Sequence, residues 1–370
     1  MTEVKFNNLG LQWETIKNEV EPQLTKLFET SAFINGPAVQ EFEQEFAAFT
    51  GTNYAVGVSN GTDAIKVAVE ALDLLGSTGI IVPANTFIAT LLGAEQALPN
   101  AEFVLVDCDQ YYQIDIDQLE DTLIKNRDRW NNCVLLPVHL YGHCANMNAI
   151  MGLADAYDCK VIEDSSQAHG TVCENGQRAG SIGAMGTFSL YPGKNLGAAG
   201  DAGIITTNDE ELYERLKLLR NWGSNRKYYY DIKGYNNRLD TIQAIILKEK
   251  LKHLNVWNAH RNMAAEFYNQ NIKNVQITTP PMAPYCTYHT YHVYCVLAEE
   301  RDALLSHLNN NGVQTNIHYP VPIELTVPYE HLGAINTRTR TYANNLVSLP
   351  IHPFITENEL SHVCDVINKF

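Results

Sequence analysis

Between residues 54 and 207 the chain repeats one pattern, a short apolar run followed by a turn and a helical or turn-rich stretch. Tyr54–Ser59, Ile80–Pro83, Phe103–Val106, Val134–Val138 and Val161–Glu163 are such runs. They are too short to be helices and too uniformly apolar to leave one face wet. They read as strands buried on both faces, which predicts a mostly parallel sheet with helices covering each side. Thr62–Leu74 shows helical spacing through Ala64, Ile65, Ala68, Val69 and Leu72. Thr187–Leu190 and Gly203–Thr207 predict two further strands, a candidate hairpin around the loop that holds Lys194. Leu212–Asn221 and Leu239–Trp257 read as helices. Beyond Trp257 the alternation stops: His292–Leu297 and Val313–Ile317 read as strands, Arg301–Asn310 and Glu357–Asn368 as helices. The expectation is an N-terminal segment (1–20), a large α/β domain (21–256) and a small C-terminal α+β domain (257–370).

A chain of 370 residues buries ample core for such an arrangement. The formal net charge of −16 argues against a general nucleic-acid binder, which needs a basic footprint. Any anionic ligand must be held by local cations and backbone N–H groups. No apolar run approaches the ~20 residues of a bilayer span, and Met1–Gly10 lacks a signal peptide's basic start. The eight cysteines form no CxxC pair, so the expectation is reduced thiols in a cytoplasmic protein with no membrane partner.

Three strand ends carry chemistry. Ser59-Asn60-Gly61-Thr62-Asp63-Ala64 turns a strand into a helix whose free N–H groups suit phosphate; alone it is also an ordinary helix cap. It is no dinucleotide fingerprint, since no GxGxxG follows the strand. Asp164 closes the run Lys160–Glu163, where a carboxylate faces the ligand crevice of an open sheet and needs a cationic partner. A salt-bridged or capping role fits it equally in isolation. Gln167 follows within the same turn. Gly186–Gly197 runs from a buried strand into a glycine-broken loop that presents Lys194, with Ser189 at the strand end. Asn195 stands where a nucleotide-triphosphate loop requires Ser or Thr, so that reading fails. A phosphate cradle, a carboxylate and a lysine are together what pyridoxal 5'-phosphate (PLP) requires. The basic, aromatic stretch from Lys217 to Arg238 suits a diphosphate and a base, or is a solvated loop. His139, His143 and Cys144 lie across a turn with no carboxylate beside them, and no metal site is expected.

These motifs resemble, almost end to end, the DegT-like sugar-nucleotide aminotransferases, a branch of the fold-type I PLP enzymes. Phe33–Pro37, Ser59–Ala64, Pro83–Phe87, Glu163–Gly170, Tyr191–Gly197, Gly200-Asp201, Gly234–Asp240 and Ile317–Pro320 carry the likeness in order. The resemblance implies a large domain with a mostly parallel seven-stranded sheet. It implies that Lys194 is the catalytic Schiff-base lysine, Asp164 the partner of the pyridine nitrogen, and Gln167 the amide beside the phenolic oxygen. Phe87 would stack on the ring, and Gly61, Thr62 and Ser189 would hold the phosphate. Asn236 would be given by a neighbouring subunit, which implies a homodimer with shared sites. Tyr191, His318, Tyr319 and Arg220 would meet the sugar. The Pro-Gly-Lys spelling and Arg220–Ser224 are most similar to members that aminate a 3-keto-6-deoxy sugar on dTDP, using L-glutamate as donor. Amination at C4 is the nearest alternative, and a non-catalytic regulator the alternative of another class.

Overall fold

A computed structural model describes residues 3–126 and 128–370. In chain order, α1 (Leu9–Thr30) and α2 (Pro37–Thr50) lead into β1 (Tyr54–Val58), α3 (Gly61–Ala71), β2 (Thr78–Pro83), α4 (Ile88–Ala97) and β3 (Glu102–Val106). Next come α5 (Ile116–Asn126), β4 (Asn132–Leu135), α6 (Met147–Tyr157), β5 (Cys159–Asp164) and the short β6 (Val172–Cys173). β7 (Met185–Ser189) and β8 (Gly203–Thr207) precede α7 (Glu210–Arg220) and the long α8 (Thr241–Asn271). The remainder comprises β9 (Ile277–Thr278), β10 (Cys286–Tyr288), β11 (Tyr294–Ala298), α9 (Arg301–Asn310), α10 (Thr337–Asn345), β12 (Leu346–Leu349) and α11 (Glu357–Asn368).

Seven strands form one sheet in the order β1-β8-β7-β5-β4-β2-β3, in which β8 alone runs against its neighbours. The expected hairpin is β7–β8. Burial follows the two-residue period of a strand. Ile80, Val82, Val134 and Ile162 face a core shared with α3 and α4, while Ile81, Leu135 and Val161 face one shared with α5 and α6. Covering both faces is what a parallel sheet requires, and it turns the strands' C-terminal ends into the free edge where a ligand can bind.

The helix expected to end at Trp257 continues to Asn271, so residues 256 and 257 lie inside α8. Its first half packs Ala244, Leu247 and Leu254 beside the sheet, and its second half packs Ala264, Ala265 and Tyr268 against β11, β12 and α11. One rigid helix therefore sets both cores relative to the cavity between them. The strand expected over Val313–Ile317 is corrected: Val313 bridges Val4 and Asn316 bridges Ser348, with no continuous ladder. The reduced-thiol expectation is corrected at one pair. Cys144 and Cys173 are disulfide-bonded with Cα atoms 5.7 Å apart. Nothing in their 29-residue separation signals that approach, which accompanies a bond from Thr171 Oγ1, just before β6, to Gly142 O at 2.6 Å. No helix among the described residues is long and apolar enough to cross a membrane.

Candidate active site

Helix α3 starts at the end of β1. Its cap is Asn60, whose side chain accepts from the Asp63 N–H at 2.8 Å. The Asp63 carboxylate is itself held by the Ser59 hydroxyl and by Asn60 Nδ2. The first-turn N–H groups of Gly61 and Thr62 have no intrahelical acceptor and open on a cavity of about 740 Å³. Gly61 is required here, because a Cβ would lie 2.5 Å from Ser189 Cβ. The bare helix end and the Ser189 hydroxyl thus form one concave edge, sized for an anion bound by backbone.

Asp164 ends β5, almost fully buried. Thr90 Oγ1 donates to its Oδ2 at 2.7 Å, and the Ser166 N–H donates to Oδ1 at 3.1 Å. Because the Thr90 hydroxyl is spent on Asp164, the 2.8 Å contact with Thr86 has Thr86 as donor. Beneath lies Glu163, fully buried, accepting the N–H groups of Gly180, Ile182 and Gly183 and the Nε2–H of His139. His139 Nδ1 accepts from the Ala145 N–H, so the ring is a single neutral tautomer with both nitrogens committed. His139, Cys144 and Cys173 do gather their ligand atoms within 4.8 Å, yet the imidazole has no lone pair left and the two sulfurs are bonded to each other.

Lys194 sits in the loop after β7, which is closed by Lys194 N–H to Tyr191 O (2.9 Å) and Ala198 N–H to Leu190 O (2.8 Å). Gly197 is packed against the Pro192 carbonyl, where a Cβ would come within 2.3 Å. Asn195 anchors the loop from below, donating to Asn258 Oδ1 and to Thr290 O at 2.9 Å each and accepting from His292 Nδ1 at 3.1 Å. Lys250 on α8 adds a bond to Gly197 O at 2.7 Å. Removal from water pushes the Lys194 ammonium down to about 8, while the charge of Asp164 pulls it partly back. A lysine poised near neutrality is a usable base and nucleophile.

Gln167 is oriented by the Tyr141 N–H, which donates to Oε1 at 2.6 Å, and its Nε2 donates to the Tyr319 hydroxyl at 3.0 Å. The Tyr141 hydroxyl in turn donates to His318 O. Phe87, half exposed at the start of α4, has its ring 5.3 Å from that of Tyr319. His318 faces the cavity with Nδ1 on Ser348 Oγ at 2.8 Å, and burial lowers its pKa to about 4.

Gly61, Thr62, Phe87, Asp164, Gln167, Ser189, Tyr191, Lys194, His318 and Tyr319 all line this one cavity. Arg220 does not line it, and neither does Asn236, which the resemblance gives to a neighbouring subunit's site. Arg220 is corrected: its guanidinium pairs with Glu43 and donates to Gly57 O at 2.7 Å, so it braces α7 against α2 and β1. Asn236 is exposed on the segment before α8, away from its own protomer's cavity. Sequence reasoning missed Thr90 and Arg261, whose partners Asp164 and Ile351 lie 74 and 90 positions away, and Ser166, whose N–H donates to Asp164 within the same turn. The Thr86-x-x-x-Thr90 spacing at a helix start was the one local signal available for any of them.

The donor set suits PLP: an anion cradle that a Cβ would fill, a braced buried carboxylate and a desolvated lysine open on one space. Fold and site together define a PLP-dependent transferase. The chain belongs to the DegT/DnrJ/EryC1/StrS aminotransferase family, which it matches over residues 14–368. It is therefore a PLP-dependent sugar aminotransferase. It is 36% identical over 371 residues to the dTDP-3-amino-3,4,6-trideoxy-α-D-glucose transaminase of Streptomyces venezuelae (99% of this chain, 96% of the relative). To the dTDP-3-amino-3,6-dideoxy-α-D-galactopyranose transaminase of Aneurinibacillus thermoaerophilus it is 39% identical, covering 96% of each. The UDP-N-acetyl-3-dehydro-α-D-glucosamine 3-aminotransferase of Acidithiobacillus ferrooxidans is 34% identical (100% of this chain, 98% of the relative). Among solved structures, S. venezuelae DesV superposes with a TM-score of 0.93 at 36% identity (100% and 98% coverage). NtdA of Bacillus subtilis, solved with its cofactor PMP, gives 0.88 at 28% identity (99% and 85%).

Proposed function

We propose that this enzyme moves the amino group of L-glutamate to a dTDP-linked 3-keto-6-deoxyhexose, giving a dTDP-3-amino-3,6-dideoxyhexose for a glycan such as an O-antigen. The carrying observation is that all three relatives named above have, by name, their amino nitrogen at C3 of a nucleotide sugar, two of them on dTDP. The relative at 39% identity forms the 3,6-dideoxy sugar itself.

On this reading the residues that line the cavity divide the work among them. The Gly61 and Thr62 N–H groups and the Ser189 hydroxyl would hold the cofactor phosphate, Asp164 would meet the ring nitrogen, Gln167 the phenolic oxygen and Phe87 the ring face. When bound, the cofactor supplies an electron-withdrawing ring and carries the amino group between the two half-reactions. Lys194 Nζ, a free amine in useful proportion because its pKa is lowered, takes the proton from the donor's Cα and returns one at the other end of the transfer. The Thr86–Thr90 relay and the Ser166 N–H keep the Asp164 carboxylate aimed into the cavity. Tyr191, His318 and Tyr319 line the mouth where the sugar enters. We further read the protein as a cytoplasmic homodimer in which Asn236 of one subunit completes the phosphate site of the other.

Purified protein supplied with L-glutamate and a panel of 3-keto and 4-keto sugars on dTDP and UDP tests the reading, with products identified by NMR. Amination of the dTDP-3-keto-6-deoxyhexose in preference to the rest is expected. Preference for a 4-keto or UDP-linked acceptor overturns it.

A further inference from the structure

Arg261 on α8 is the largest fully buried side chain among the described residues, and it forms part of the cavity wall. Its Nη1 donates to three backbone carbonyls, those of Ile351 (2.8 Å), Tyr291 (3.2 Å) and His292 (3.5 Å). No carboxylate pairs with it, and its Nε and Nη2 have no protein acceptor among the described residues. A guanidinium taken out of water without a counter-ion is costly, and burial alone lowers its pKa to about 10 with no anion opposing the shift. An arginine held by one nitrogen, with the rest of its fork open on a ligand cavity, is a preorganised carboxylate receptor.

The cavity needs one. A 2-amino acid reacts at the carbon that bears its α-carboxylate, so that carboxylate must enter the buried part of the site. Among the described residues of one protomer, the fixed cations that line the cavity are Lys194 and Arg261; burial keeps His292 and His318 neutral at physiological pH. Lys194 is committed to the moving proton. The nucleotide sugar carries its charge on a diphosphate remote from the reacting carbon and has no carboxylate to offer.

We propose that Arg261 is the residue that holds a carboxylate of the amino donor, and of the 2-oxo acid it leaves as. The proposal rests on the aminotransferase reading but not on which sugar is the acceptor, because the donor half-reaction runs without any sugar. Arg261 then discriminates between the two substrates of one site, attracting the donor through a charge that the acceptor does not meet.

The test separates the half-reactions in holoenzyme bearing Arg261→Met or Arg261→Lys. Stopped-flow absorbance follows glutamate converting the cofactor to its amine form. Separately, the amine-form enzyme is mixed with whichever nucleotide sugar the wild type accepts. Titration calorimetry with glutarate, which has the carboxylates but no amine, gives a readout independent of turnover. In Arg261→Met the donor's second-order rate should fall about 10²-fold, as loss of a charged bidentate contact predicts, with glutarate binding weakened at least about tenfold. The sugar half-reaction should stay within about threefold, and Arg261→Lys should recover part of the donor rate. An unchanged donor rate overturns the proposal. So does an equal loss in both half-reactions that lysine does not relieve, which would mark Arg261 as a brace for the Tyr291–His292 turn. A loss confined to the sugar half-reaction would assign the guanidinium to the diphosphate instead. Failure of wild type to aminate any sugar, with the donor results as expected, would sink the acceptor assignment alone.

Discussion

The loop that carries Lys194 and the loop between Arg220 and Asp240 look alike in sequence, each mixing glycine, aromatic and basic residues. Their fates in the structure are opposite. The first is anchored from within: Asn195 is buried and satisfied at both ends of its amide, and Lys250 holds the Gly197 carbonyl. The second faces outward. Tyr228, Tyr229 and Tyr230 are exposed, with Arg226 and Lys227 lying over the Tyr229 and Tyr228 rings. A loop whose polar groups are consumed by its own chain presents one residue in one place. A loop whose aromatic and cationic groups remain outward offers them to another molecule, which on our reading is the second subunit's site. The two also differ in what their basic residues do. Lys194 is desolvated and free to react, whereas Arg220, at the base of the outer loop, is already spent on Glu43.

The largest effect should come from removing the anchored loop's product. Lys194→Ala should abolish turnover while the circular dichroism spectrum stays that of wild type. Mixed and reassembled with Asn236→Asp, it should form heterodimers that each regain up to about half of wild-type activity, since one site of each then carries neither defect. Confirmed subunit exchange without recovery would put Asn236 outside the partner's site and erase the contrast between the loops.

Asp164→Asn should slow the glutamate half-reaction by several orders of magnitude, because a neutral amide cannot hold a proton on the ring nitrogen. A loss below about tenfold, ~1.4 kcal/mol in barrier, would make Asp164 a structural residue held by Thr90 and Ser166.

The pH dependence of cofactor uptake gives a gentler test. On our reading, apoenzyme takes up PLP through the free amine of Lys194. With a pKa of about 8, the amine fraction grows tenfold per pH unit below that value and saturates above it. The second-order rate of reconstitution, followed by absorbance, should rise accordingly and level off beyond pH 8. A midpoint near the ordinary lysine value of 10.5 would show that the loop does not desolvate its lysine.

The smallest effect on catalysis should follow Arg220→Ala. Breaking its nearly buried pair should cost stability, about 3 kcal/mol by denaturant unfolding, and leave the nucleotide-sugar KM within about threefold. A raised KM at unchanged stability would return Arg220 to the substrate.

Much of the site was legible because its parts are local. Ser59–Ala64, Glu163–Gln167 and Gly186–Gly197 each place their functional residues within one strand-to-loop turn, where backbone sterics and strand ends decide direction. The same locality let the strands be read from short apolar runs, and let β7–β8 be read as a hairpin. The misreadings lie where distant segments meet. Arg220 looked like a ligand residue until Glu43, 177 positions away, neutralised it. Val313–Ile317 has a strand's composition but lacks neighbours in register beyond Val4 and Ser348. Cys144 and Cys173 carry no spacing that marks them as partners.

By itself, then, the sequence determined the alternation that makes a parallel sheet and the residue types that stand at its C-terminal edge. It did so because apolar periodicity, helix caps and glycine-framed turns are properties of a few neighbouring residues. Only the tertiary structure decided which of those residues share a cavity, how far Lys194 is removed from water, which charges are paired, and that Arg261 stands unpaired in the wall. Desolvation and charge pairing are sums over everything packed around a group. They come into being only when α8 has brought its two cores together.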